Sequence, residues 1–177
     1  MTTRPLLLGL LLLILTGCAA APPRARGVLT VTNQTSRETD TVAYLRPDGS
    51  LDEGGAWRLS YLMRDVRAGQ GTAMDPRLFT FLDLLCVKLG VPTGKPVVIT
   101  SGYRTQATNA ALRQVSGQVA ENSYHTRGQA LDIKIPGISG ARVARAAKSL
   151  ARGGVAHYAS SDHVHLDVGP VRTWATW

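Results

Sequence analysis

The sequence predicts an α+β domain: a small, mainly antiparallel sheet with packed helices. Three observations point there. Short segments of alternating β-branched residues recur along the chain, as half-buried strands do. Several neighbouring pairs are separated only by turn residues, which implies hairpins. Between them lie helical patterns with clear start and stop residues. At 177 residues, 44% hydrophobic and 18% charged, the chain suits one domain whose core needs no staples, and a disordered chain is excluded. It contains no internal repeat and no nucleotide-binding loop.

Residues 28–32 and 41–45 read as strands joined by the polar stretch 33–40, a hairpin. Pro47-Asp48-Gly49 makes a turn, because Pro fixes φ and Gly permits positive φ. A helix is expected over residues 55–66, with Trp57, Leu59, Leu62, Met63 and Val66 roughly at helical spacing. The clearest helix opens at Asp75-Pro76, a cap followed by the ring that suits the first helical position. It is apolar from Leu78 to Leu89, and Gly90 and Pro92 stop it. Residues 96–100 form a short buried strand leading into Ser101-Gly102-Tyr103-Arg104-Thr105. Thr105 caps a helix to about Val115, with Ala107, Ala110, Ala111, Leu112 and Val115 expected inward. A polar loop, a strand at 131–135, and a basic helix capped by Ser139 and running to about Arg152 follow. Its inward residues are Val143, Ala146, Ala147 and Leu150. Two last strands, at 155–158 and 164–168, are joined by Ala159-Ser160-Ser161.

The N-terminus carries Arg4 and then the apolar run Leu6 to Leu15, the layout of an export signal and too short to span a bilayer comfortably. The run ends in Leu15-Thr16-Gly17-Cys18, which resembles a bacterial lipobox. That likeness implies a signal peptide at 1–17, a lipid-modified Cys18 with a Pro- and Arg-containing linker to residue 27, and a domain over 28–177. With Ala19 after the Cys, the implied destination is the periplasmic side of the outer membrane. Ordinary cleavage near Ala19-Ala20-Ala21, giving a free periplasmic protein, is the alternative. The other cysteine, Cys86, sits in an apolar run and reads as a buried small hydrophobe. A net charge of +8 calls for an anionic partner: nucleic acid, a membrane surface or an acidic polymer.

The chemistry concentrates in two stretches, Ser123 to Asp132 and Asp162 to Asp167. Gly128 and the alternation after it argue that His125 lies on a loop and Asp132 on the following strand. Asp132 then points away from the face of Leu131 and Ile133, where an isolated carboxylate is unfavourable unless paired or metal-bound. On the last strand His163, His165 and Asp167 share one face. Two imidazoles and a carboxylate, with one position left for water, is the pattern of a catalytic zinc site. A neighbouring carboxylate can take the water's proton.

Ser-x-His-x-x-Gly-x-Ala-x-Asp at 123–132 and His-x-His at 163–165 resemble the zinc peptidases of the D-alanyl-D-alanine peptidase, lysostaphin and hedgehog superfamily. Ser-Gly-Tyr-Arg-Thr at 101–105, Gly-Gly-Val at 153–155 and the run His165 to Trp174 resemble the MepK branch of murein endopeptidases. The resemblance covers residues 28–174. It implies one zinc ion held by His125, Asp132 and His165, with Arg104 stabilising the oxyanion. It implies Asp162, three residues before the last ligand, as the general base, provided the strand bends there. Asp167 would orient His165 or itself be the base. The resemblance also implies that His163 assists catalysis and that Ser123 and Tyr103 contact substrate, with a turn role for Ser123 and core packing for Tyr103 as the alternatives; His157 and Tyr158 are structural or line the cleft. The expected substrate is the peptide cross-links of peptidoglycan and the expected state a monomer. A carboxypeptidase trimming terminal D-Ala and a non-catalytic wall-binding lipoprotein are the alternatives. Export and the lack of any nucleic-acid motif count against nucleic acid.

Overall fold

The computed structural model describes residues 23–117 and 119–176. The signal segment, Cys18 and the start of the linker lie outside the described residues. The first hairpin forms as the alternation predicts, β1 (Val28–Asn33) antiparallel to β2 (Thr39–Ala43). Helix α1 (Glu53–Leu62) follows, starting earlier than expected because Asp52 accepts a hydrogen bond from the Gly55 amide. Helix α2 (Pro76–Leu89) has the cap, proline and left-handed Gly90 read from its ends. Then come β3 (Val97–Ser101), α3 (Gln106–Val115), a 3-10 turn (Tyr124–Arg127), β4 (Ala130–Lys134) and α4 (Gly140–Lys148). The chain closes with β5 (Gly154–Tyr158), β6 (His163–Asp167) and β7 (Arg172–Thr176).

The α+β class holds, but the sheet is not the small one expected, and it carries parallel as well as antiparallel pairs. It is one mixed seven-stranded sheet in the order β2-β1-β3-β4-β6-β5-β7. β1 runs parallel to β3 and β7 parallel to β5; the other pairs are antiparallel. β7 was not expected, since Arg172-Thr173-Trp174 lacks an apolar alternation.

Helices α1, α2 and α4 cover one face of the sheet. Their core includes Phe79, Leu82 and Leu85 of α2 packed with Leu29, Val31, Ile99, Leu131, Ile133, Val164 and Leu166 of the strands. Burial of each such side chain is worth roughly 1.5–3 kcal/mol. Cys86 is buried, and burial pushes its thiol up to about 12, so it is inert. Buried Asp83 of α2 ties down the start of β1: it accepts from the Gly27 amide at 2.8 Å and from the Tyr44 hydroxyl at 3.0 Å.

Two apolar patterns are overridden by position. Trp57 of α1 is exposed, and α3 does not turn its alanines inward. Ala107, Ala110 and Ala111 are exposed, Val115 is 81% exposed, and buried Asn109 takes the inner position. Asn109 donates to the Ala120 carbonyl, and Leu112 alone of the expected set faces a cavity. The uncovered face of the sheet carries the functional side chains.

Candidate metal centre

β4 and β6 pair so that Asp132 stands directly opposite His165. Both side chains point to the uncovered face, because Leu131, Ile133, Val164 and Leu166 take the core face. His125 reaches the same spot from the 3-10 turn. Ser123 caps that turn by accepting from the His125 amide at 3.3 Å, and Gly128 ends it with a positive φ of 65°. The Arg104 amide donates to the His125 carbonyl, so the turn is stitched to the end of β3.

The donor atoms converge. His125 Nε2 lies 3.2 Å from His165 Nδ1 and 3.3 Å from Asp132 Oδ1, and His165 Nδ1 lies 2.9 Å from Asp132 Oδ1. All three residues are buried. Tetrahedral ligands at about 2.0–2.1 Å from an ion stand roughly 3.3 Å apart, so the cluster fits a small tetrahedral cation with little movement.

The outer partners take up the other polar atom of each residue, so each of these three atoms is free to offer a lone pair once His165 Nδ1 gives up the proton it shares with Asp132. His125 Nδ1 donates to the Gly102 carbonyl at 2.7 Å, which leaves Nε2 as the donor to a metal. His165 Nε2 donates to Asp167 Oδ2 at 3.0 Å, which leaves Nδ1. Arg104 Nη2 donates to Asp132 Oδ2 at 2.7 Å, which leaves Oδ1. Asp167 is 0% exposed and is held by both Arg172 nitrogens, at 2.9 and 2.8 Å, and by the Gly154 and Gly169 amides. Gly102 is required here: a Cβ would run into the Met63 carbonyl and displace the oxygen that orients His125.

The titration directions follow. Burial pulls the His125 pKa down despite Asp132 beside it. Burial also opposes charge on His165, but hydrogen bonds to Asp132 and Asp167 overcome it and push the pKa up to about 9. Burial works against Asp132 as an anion, and the two histidines hold its pKa well below the ordinary value. Asp167 is likewise lowered against burial, by His165 and Arg172.

A cavity of about 510 Å³ opens over the cluster. Leu112 of α3 and Val119 and Ala120 beyond it form one wall. Tyr158, Ser161 and His163 form another, and Tyr124, Arg172 and Trp174 a third. His163 stacks on Tyr158 with 4.4 Å between ring centroids, and its Nδ1 is 2.7 Å from Ser161 Oγ. Burial lowers its pKa, so it is neutral at neutral pH. Arg104 lines the cavity with donors to spare beyond those on Ser101 and Asp132.

Two of the site candidates, Asp162 and Tyr103, lie elsewhere than expected. The chain does bend at Asp162, with φ 50°, but the carboxylate leaves toward the helical face. There it accepts from the Gly140 amide and from His157 Nε2, each at 2.9 Å, and is not among the lining residues of the cavity. It caps α4 in place of Ser139, whose side chain makes no capping bond. Tyr103 packs against the core instead of lining the cavity. His157 shares the α4 side with Asp162, as alternation along β5 dictates, whereas Ser123 caps its turn and also lines the cavity. Arg172, Trp174 and Tyr124 were missed as site residues. The signal for Arg172 was weak: a buried carboxylate such as Asp167 needs a cation, and Arg172 is the next one in the chain.

Fold and cluster together define an α+β domain with a His–Asp–His cluster, able to hold a metal ion, at the floor of an open cleft. The family described as peptidoglycan L,D-endopeptidase MepK matches residues 19–174, and the chain belongs to that family. Peptidoglycan L,D-endopeptidase MepK of Escherichia coli (strain K12) is 42% identical over 152 residues, 86% of this chain and 81% of that protein. The Shigella flexneri protein of the same name matches to the same extent. A probable peptidoglycan L,D-endopeptidase MepK of Haemophilus influenzae is 45% identical over 117 residues, 66% of this chain and 62% of its own. No solved structure matches. Membership of that family makes the chain a murein (peptidoglycan) endopeptidase.

Proposed function

We propose that this endopeptidase works with one zinc ion held by His125 Nε2, Asp132 Oδ1 and His165 Nδ1, and that it cuts an L,D-type cross-link. The observation that carries the zinc reading is the donor triangle of 2.9–3.3 Å, each atom left with a lone pair by a separate outer partner. Zinc there supplies Lewis acidity, polarising a peptide carbonyl and acidifying water. The relatives' printed activity, L,D-endopeptidase, supports the linkage.

The chain's own residues supply the rest. Arg104 fixes Asp132 and offers its remaining N–H groups to the oxygen that gains charge during attack. His163 takes the water's proton at Nε2, with Nδ1–H donating to Ser161 and Tyr158 holding the ring flat. Asp162 is committed to α4 and is not the base in this reading. Tyr124, Trp174 and Leu112 give the cleft apolar walls for the stem peptide, and Ser123 edges it. We further propose export with acylation at Cys18, which keeps the domain near the membrane with the wall in reach, as a monomer.

Purified dimeric muropeptides separate endopeptidase from carboxypeptidase, since only the former yields monomers. His163→Ala lowers kcat on them about 10²–10⁴-fold at unchanged zinc content. A loss below tenfold removes His163 as the base, and trimming of terminal residues without monomers refutes the cross-link reading.

A further inference from the structure

The positive charge of the molecule has a location. Helix α4 exposes Arg142, Arg145 and Lys148, with exposed Arg152 just beyond its end. Spacings of three place the first three on the outer side of the helix, opposite buried Val143, Ala144 and Ala147. None of the four takes part in an ion pair among the described residues. Asp162 is engaged by Gly140 and His157 at the start of the helix. Exposed Lys95 extends the patch: its Nζ lies 3.7 Å from the position of a Cβ on Gly137, in the turn that leads to α4.

The chain enters on the same side. Gly27 is bonded to Asp83 of α2 and Arg26 to Thr93 after it, and α2 packs on α4. Arg24, Arg26 and Lys88 therefore border the same helical layer, and all three are exposed. The cavity over the metal cluster opens on the opposite face of the sheet.

We propose that this helical face docks on an anionic phospholipid bilayer and so holds the catalytic cleft turned away from the membrane. Two observations favour a bilayer over an anionic polymer. The cations lie on an outer helix surface and line none of the three main cavities among the described residues, which suits a plane of charge. The Leu-rich leader and Cys18 precede Gly27 by a stretch that extends at most about 30 Å, so a bilayer is within reach. The proposal rests on the anchored reading of the N-terminus and is independent of the cleavage chemistry. Each cation near an anionic surface raises partitioning roughly fivefold, and salt screens the effect.

The test places the full chain on phosphatidylcholine vesicles with and without phosphatidylglycerol, pulses it with an amine-acylating reagent, and reads each lysine by mass spectrometry. Lys134, exposed on the cavity side, is the reference. Phosphatidylglycerol lowers labelling of Lys148 and Lys95 at least about threefold relative to Lys134, and added salt restores it. The double variant Arg142→Gln, Arg145→Gln loses that protection while cleaving muropeptides at the parent rate. Equal labelling on both vesicle types overturns the proposal. So does protection of Lys134, or equal protection by soluble peptidoglycan fragments. Flotation of the same samples reads the anchor separately, because an anchored chain floats even on pure phosphatidylcholine.

Discussion

Replacing Asp167 by Asn tests how the outer partners assign the metal donors. Asp167 accepts five hydrogen bonds: two from Arg172, one from each of the Gly154 and Gly169 amides, and one from His165 Nε2. An amide keeps the shape but has one acceptor oxygen. The less costly orientation leaves that oxygen at the Oδ1 position, where it serves Gly154, Gly169 and one Arg172 nitrogen. The NH₂ then faces His165 Nε2–H and the second Arg172 nitrogen, donor against donor. The clash with His165 is relieved only by moving its proton to Nδ1, the nitrogen assigned to zinc. Zinc affinity should fall about 10–100-fold. Arg172 also loses its charge partner; since its side chain is 38% exposed, the cost is at most the lower end of the buried-pair range, about 3 kcal/mol. Zinc competition against a chromophoric chelator reads the first effect and denaturant melts read the second. Affinity within about twofold of the parent in a folded variant would refute the tautomer argument.

Three further outcomes are expected. Asp162→Ala should lower the melting temperature slightly through loss of the α4 cap, with cleavage of dimers little changed; a hundredfold fall in kcat at full zinc occupancy, read by steady-state kinetics, would instead make Asp162 the general base. Asp65 accepts from the Thr105 amide and hydroxyl and from the Ala68 amide, and these bonds, with Thr108, hold its pKa down against burial. Its stabilising effect is therefore full above the ordinary carboxylate value of about 3.9 and is lost as pH falls through the lower folded value. Thermal melts should show the advantage over Asp65→Asn shrinking only below about pH 4, and an advantage that fades between pH 7 and 5 would contradict this. Gly102→Ala should strip zinc from folded protein or prevent folding, because its Cβ meets the Met63 backbone; metal analysis showing full occupancy at parent stability would contradict the role given to Gly102.

The cluster of His125, Asp132 and His165 was legible because strand alternation and a glycine-ended turn leave few ways to arrange the three side chains. Asp162 was not, because its direction depends on a positive φ at one turn residue, which alternation does not register. β7 escaped because its pairing with β5 is parallel and its residues carry polar and aromatic side chains. The inner face of α3 was misjudged for a related reason. That helix borders the cleft and not the core, so a buried Asn109 with a backbone partner outranks its alanines. Position in the tertiary structure, absent from local pattern, decided each of these.

Cleavage of cross-links should depend on a metal at His125, Asp132 and His165. The most direct measurement follows release of monomers from purified dimeric muropeptides by the intact chain, by the chain stripped with a chelator, and by the stripped chain resupplied with zinc. Monomers should appear, cease on stripping, and return as zinc approaches one equivalent per chain, with no return in His165→Ala. Monomers released at an undiminished rate by the stripped chain, or by His165→Ala, would contradict it.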